Sequence, residues 1–190
     1  MALFAEYSPR KPASPRPEPI AGLGIRTAAP SDLTAIAALA ARRNDETPSA
    51  HYKRFEKTIE NPAARIFIAE SEETLRGFGV AMHFQRADDA PSNTAPSGWY
   101  LMGVVVAPEM RRRGVARALT GARLRWIAER SSRAYYFCNV RNLASIDLHA
   151  PWGFKEVTRD FVYPRVTFQG GVGVLFTVDL SGGVAEVGGA

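Results

Sequence analysis

The chain has 190 residues, the size of one domain, and its 46% hydrophobic and 23% charged content is globular composition that excludes a fully disordered chain. The formal charge of +5 is local: between Pro108 and Arg141 nine arginines face only Glu109 and Glu129, a net of +7 against −2 for the remainder, so an anionic ligand held at one place is expected, phosphate first. No apolar run approaches the ~20 residues of a membrane helix, no apolar h-region opens the chain, and the single cysteine, Cys138, can neither close an internal disulfide nor build a zinc cluster; the chain reads as cytoplasmic and metal-free.

Residues 1–22 hold five of the thirteen prolines with almost no apolar periodicity and read as a flexible arm. Gly24–Ala28 is a short strand. Pro30-Ser31-Asp32 opens an Ala-rich helix to Arg43 with Leu33, Ile36, Ala37 and Ala40 on one face, and a second helix runs from Ser49 to Glu60, stopped by Asn61-Pro62. Ile66–Ala69 and Phe78–Phe84 are strands joined by a charged turn at Glu70–Arg76, and Arg86–Gly98 is a loop. Trp99–Ala107 is a Val-rich strand of the kind buried on both faces.

A helix follows from about Gly114 to Arg130, its apolar stripe made by Val115, Ala118, Leu119, Ala122 and Trp126. Ala134–Val140 is a strand, and Asn142 caps a helix to Ala150 that Pro151 stops. Phe154–Pro164 and Gly173–Asp179 close the domain as antiparallel strands. Residues 181–190 hold four glycines and no aromatic side chain, the composition of a frayed tail outside the core. The layout is a mixed α/β domain over 23–180.

The segment richest in chemistry is Val104–Arg117, a strand, a loop of arginines and a glycine, then a helix. A helix N-terminus presents unpaired N–H groups and a partial positive charge to phosphate, and Gly114 admits the anion close to the backbone. It is neither a GxxxxGK[ST] loop nor a GxGxxG turn. An exposed basic loop on an ordinary helix is the plainer alternative.

Arg111-Arg112-Arg113-Gly114-Val115-Ala116 matches the [QR]-x-x-G-x-[GA] signature of the GNAT superfamily of N-acetyltransferases, and Val104-Val105-Val106-Ala107-Pro108 before it resembles the V-x-P strand ending of that family. Asn142 through Gly153-Phe154 resembles its second signature, in the same order and spacing. The resemblance spans about residues 24–180. It implies a GNAT-like α/β fold: a mostly antiparallel sheet of six to seven strands, flanked by about four helices and splayed at the cofactor site. It also implies acetyl-CoA as acyl donor, with no metal, and a primary amine, small molecule or peptide, as acceptor. The backbone of Arg112, Arg113, Gly114, Val115, Ala116 and Arg117 would hold the pyrophosphate, with Arg111 opening the motif. Val104 and Val106, in the Val104-Val105-Val106 segment, would pair with the pantetheine arm by strand addition, and Asn142 would bond it as well. An amide near Val104 would supply the oxyanion donor.

The family most often carries tyrosine where this chain has His149, so the resemblance implies His149 as proton donor to the departing thiolate, with a surface histidine as the alternative. For the base, the strand before the loop offers no carboxylate. Tyr100 lies near the expected place but is a poor base at neutral pH, and His83 is the other candidate, against a partly buried structural role. Glu46 and His51 would line the acceptor side. Cys138, Trp126 and Trp152 read as core. A non-catalytic acyl-CoA-binding module of the same fold is the rival reading; no nucleic-acid motif supports the arginine cluster as a nucleic-acid site, no membrane partner is expected, and a homodimer through the C-terminal strands is open.

Overall fold

The computed structural model describes the backbone of Ala2–Leu3 and residues 18–44, 47–168, 170–185 and 187. Its strands are β1 (Ala2–Leu3), β2 (Gly24–Thr27), β3 (Ala64–Ser71), β4 (Thr74–Phe84), β5 (Gly98–Val106), β6 (Arg133–Asn139), β7 (Lys155–Thr158), β8 (Val166–Thr167) and β9 (Gly173–Asp179). The helices are α1 (Leu33–Asn44), α2 (Pro48–Glu60), α3 (Val115–Ala128) and α4 (Leu143–His149). Seven strands form one sheet in the order β2-β3-β4-β5-β6-β9-β7, antiparallel throughout except where β5 meets β6. β1 pairs with β8 outside it.

Alternation along the strands sorts the core into two layers. Ile66, Ile68, Phe78 and Val80 face α1 and α2, meeting Leu33, Ile36, Leu39, Ala40 and Phe55. Phe67, Ala69, Ala81 and Leu101 face α3 and meet Val115, Leu119, Leu124 and Ile127. A third cluster, mostly aromatic, gathers Tyr100, Tyr135, Phe137 and Tyr163 where β5, β6 and the segment after β7 converge.

Departures from the sequence reading have local causes. The turn expected over Glu70–Arg76 contracts to Glu72-Glu73, both at left-handed φ (50° and 58°), because Ser71 already pairs with Thr74. The strand expected over Phe154–Pro164 ends at Thr158, whose hydroxyl accepts from Asp160 N at 3.0 Å and turns the chain off the sheet. Phe161 and Tyr163 then pack into the aromatic cluster. At the two ends, Ile20, Val184 and Val187 are half-buried against the α3-side layer, so contact with the core passes both expected boundaries. Gly183 makes the C-terminal return, its N–H bonding Leu180 O at 2.9 Å.

Candidate active site

β5 and β6 are bonded only at Trp99↔Ala134 and Tyr100↔Tyr135. β4 follows β5 on to Val106 and β9 follows β6 to Asn139, so the two halves of the sheet part beyond Tyr100. The expectation that Trp99–Ala107 is buried on both faces is corrected here: Val104, Val105 and Val106 are half-buried because no strand covers that edge of β5. Ala107 N bonds Arg76 O on β4 at 2.9 Å. Alternation then turns the main-chain groups of Val106 and Val104 into the opening and those of Val105 back to β4. Val105 puts its side chain into the α1–α2 layer.

At the wide end of this opening a 3-10 turn, Pro108–Met110, leads into the arginine loop. Arg112 (φ 64°) and Gly114 (φ 84°) both take left-handed backbone, and Gly114 is the N-cap of α3. The first bond inside the helix is Ala118 N to Gly114 O, 2.9 Å, so the N–H groups that open α3 have no carbonyl one turn back. Space above Gly114 is empty to 4 Å from a built Cβ. Arg111 and Arg112 are exposed; Arg113 and Arg117 are half-buried. Arg113 Nε donates to Glu18 O at 3.0 Å, tying the loop to the segment before β2.

Across the opening the exposed Arg43 reaches its Nη1 toward Val104 O at 3.5 Å. Glu109, the acid of the loop, is bound by the Arg42 guanidinium at 3.3 and 3.0 Å, and that bond lowers its pKa. The result is a concentration of cations over exposed helix amides beside an unpaired strand edge. It suits a ligand with a phosphate head and an extended amide-bearing arm.

On the α4 side, Asn142 Oδ1 accepts from Ser145 N at 3.1 Å, the N-cap read from sequence, which leaves the Nδ2 donors for another acceptor. His149 is 4% exposed, corrected from the surface position given as the alternative. Its ring stacks on Tyr136 at 4.0 Å and meets Phe154 edge-on at 5.5 Å. Nδ1 lies 2.7 Å from Ser145 O; a carbonyl only accepts, so the proton is on Nδ1. Burial first, and then the Arg123 charge, push its pKa down to about 3, and buried Nε2 has no hydrogen-bond partner. In this state Nε2 can accept a hydrogen bond but has no proton to give.

The other two catalytic candidates stand elsewhere. Tyr100 is wholly buried, donates its hydroxyl to Pro96 O at 2.6 Å, and has its pKa raised by burial, so it offers no base. His83 packs edge-on against Trp99 at 5.2 Å on the α3 side, level with the closed end of the opening. Tyr100 lies in the aromatic cluster, while His83 and His149 meet the α3-side layer through different rings, Trp99 and Tyr136. His51 is buried against Phe55 rather than lining a surface, and Glu46 lies outside the described residues. Cys138 is buried with its thiol pushed up to about 11, and Trp152 is core, as read. Among the described residues no group of His, Cys, Asp and Glu is arranged to hold a metal ion, and no helix is long and apolar enough to cross a membrane.

Sequence reasoning missed Arg123. It falls among the nine arginines of the cationic stretch, yet it is 0% exposed beneath the point where β5 leaves β6. Its place one helical turn from Leu119 and from Ile127, both buried, is the signal that could have found it.

The model of the acetyltransferase (GNAT) family matches residues 32–154. No curated protein matches the sequence. Among solved structures, the ribosomal-protein-alanine N-acetyltransferase of Brucella melitensis superposes with a TM-score of 0.64 at 21% identity, covering 82% of this chain and 99% of that one. YncA of Salmonella typhimurium, solved with its cofactor acetyl-CoA, gives 0.63 at 17% identity over 84% and 94%. The spermidine N-acetyltransferase of Vibrio cholerae, in complex with CoA and spermine, gives 0.62 at 19% identity over 84% and 96%.

Proposed function

The chain belongs to the GNAT family of acetyltransferases, and we propose from that premise that it transfers the acetyl group of acetyl-CoA to a primary amine by direct attack. The observation that carries the reading is the junction of the open β5 edge with the cationic, glycine-capped start of α3. The cofactor fits there: the empty space over Gly114 accepts a pyrophosphate, and the main chains of Val104 and Val106 match the amides of a pantetheine arm. When bound, acetyl-CoA supplies an activated acetyl thioester.

The chain supplies orientation and polarity. Arg111, Arg112 and the opening amides of α3 neutralise phosphate; the edge of β5 aligns the arm; Asn142 contributes Nδ2 from the far side. A β5 N–H near Val104 is a preorganised donor for negative charge developing on the carbonyl oxygen. Fixing the reactants in this geometry supplies much of the acceleration. The amine must arrive neutral, and Tyr100, which holds its own proton on Pro96 O, is not the base that deprotonates it; the proton leaves through water. His149 packs the α4 side of the cleft in its neutral form, and the thiolate leaves without a proton from it.

The burial of His149 favours the second reading, a module that binds acetyl-CoA without turnover, because the residue standing at the usual donor position commits its ring proton to Ser145 O. Release of free thiol from acetyl-CoA, followed in the presence of spermidine, a lysine peptide and a peptide with a free alanine N-terminus, tests the proposal. Turnover with any of them supports transfer; binding without thiol release from all of them supports the module.

A further inference from the structure

Arg123 is the unusual group of this cleft: a guanidinium with no exposed surface whose hydrogen bonds go to no carboxylate. Nη1 donates to Met102 O at 2.8 Å and Val80 O at 3.3 Å, Nε to Leu119 O at 3.1 Å, and Nη2 to Thr120 Oγ1 at 3.1 Å. Burial lowers its pKa to about 9, which still leaves it cationic at neutral pH. An interior cation without a counter-charge is expensive, so stability alone does not account for arginine on this stripe.

The two strand carbonyls it takes stand where the β4–β5 ladder is irregular. Gly79 pairs with Val104 and Ala81 with Leu101, so Val80 alone opposes Met102 and Gly103. This is a β-bulge, which bends its strand and strands backbone groups without a ladder partner. Arg123 collects one carbonyl from each side of the bulge. Gly79 makes the space for it: a Cβ there would stand 3.0 Å from both Cζ and Nε of Arg123. The bulge lies immediately before Val104, where β5 has already parted from β6.

We propose that Arg123 is a positioning residue for acetyl-CoA recognition: by pinning Val80 O and Met102 O across the bulge it fixes the free edge of Val104 and Val106 on which the pantetheine arm is read. This rests on the cofactor reading above. Because Arg123 and the glycine-capped loop share α3, the helix that receives the pyrophosphate also sets the strand that receives the arm. Without the guanidinium, both carbonyls lose a buried charged donor, and the strand is free to rearrange at the point where the edge begins.

The test compares two probes on the full chain by calorimetry: acetyl-CoA, and adenosine 3′-phosphate 5′-diphosphate, its nucleotide end without the arm. Arg123→Met should weaken acetyl-CoA about tenfold or more while the nucleotide end stays within about twofold, the scale of a lost charged hydrogen bond confined to one subsite. Arg123→Lys, able to reach one carbonyl, should recover part of the loss. Gly79→Ala keeps the arginine but crowds it, and should show the same selective loss; it carries the test alone if Arg123→Met does not fold. Unchanged acetyl-CoA affinity in Arg123→Met and Gly79→Ala overturns the proposal, and so does equal weakening of both probes, which would make Arg123 a residue of general stability. A parent chain that binds neither probe removes the cofactor reading itself, and the proposal with it.

Discussion

Gly114→Glu separates a phosphate-binding loop from an exposed basic one. Gly114 stands at φ 84° with nothing within 4 Å of a built Cβ, so a side chain there meets backbone strain but no steric clash. Left-handed backbone costs an L-residue about 1–2 kcal/mol, which lowers the melting temperature by roughly 2–8 °C and leaves the fold intact. The effect on the ligand is larger. A carboxylate about 4 Å from a phosphate oxygen, at an effective dielectric of about 20, is repelled by about 4 kcal/mol. Salt at this exposed loop reduces that to roughly 2–4 kcal/mol, a 30- to 1000-fold loss in affinity. Gly114→Ala carries the strain without the charge and should hold acetyl-CoA within about fivefold. Calorimetric Kd values for parent, Ala and Glu forms, with the acetyl-CoA-induced rise in melting temperature as a second readout, check the series. Parental affinity in Gly114→Glu would refute the phosphate assignment, since the charge would then sit where no phosphate does.

Three further outcomes follow from the buried groups and the chain ends. His149 has a folded pKa of about 3 against an ordinary 6.5; the unfolded chain takes up the proton first, so the contribution is whole above pH 6.5 and lost as pH falls toward 3, by about 1.4 kcal/mol per unit. His149→Phe should flatten the fall in melting temperature between pH 6 and 4 and keep turnover within about threefold, far short of the roughly 10²–10⁴ of a lost general acid; a loss of that size would restore His149 as donor. Tyr100→Phe orphans Pro96 O and should lower stability by about 1–2 kcal/mol with turnover retained, and abolished turnover in a folded variant would make Tyr100 catalytic. Deleting residues 1–22 removes Ile20 from the core and Glu18 O from Arg113, and should cost about 1–2 kcal/mol, whereas deleting 1–17 spares both contacts; equal melting temperatures for the two truncations would contradict this.

The periodic parts of the fold were legible. Alternation in Ile66–Ala69 sends consecutive residues to opposite layers, and Val115 and Leu119 open the stripe of α3, which continues through Leu124 and Ile127 while Ala118, Ala122 and Trp126 are only half-buried. The arginine loop and the Asn142 cap follow from local chemistry, and both stand where expected. What escaped was long-range. A run of valines serves a strand buried on both faces and a half-covered strand equally well, and only the divergence of β6 sets Val104–Val106 apart from core. The contact beside that divergence, Arg123 over Gly79, joins an arginine and a glycine that no local window connects. His149 sits on a helix too short for its pattern to separate inner from outer face, and its neutrality comes from Tyr136 and Phe154 packed around it. Thr158 ended a strand that composition alone would have continued.

Acetyl transfer is proposed at the junction of the β5 edge and the α3 N-terminus. Its most direct test is mass spectrometry of the amine panel after incubation with the chain and acetyl-CoA, with free thiol counted in the same samples. An N-acetylated product from at least one amine is expected, with one free thiol for each acetyl group moved and loss of both in Gly114→Glu. Acetyl-CoA bound tightly, with every amine unmodified and no thiol released, would contradict it.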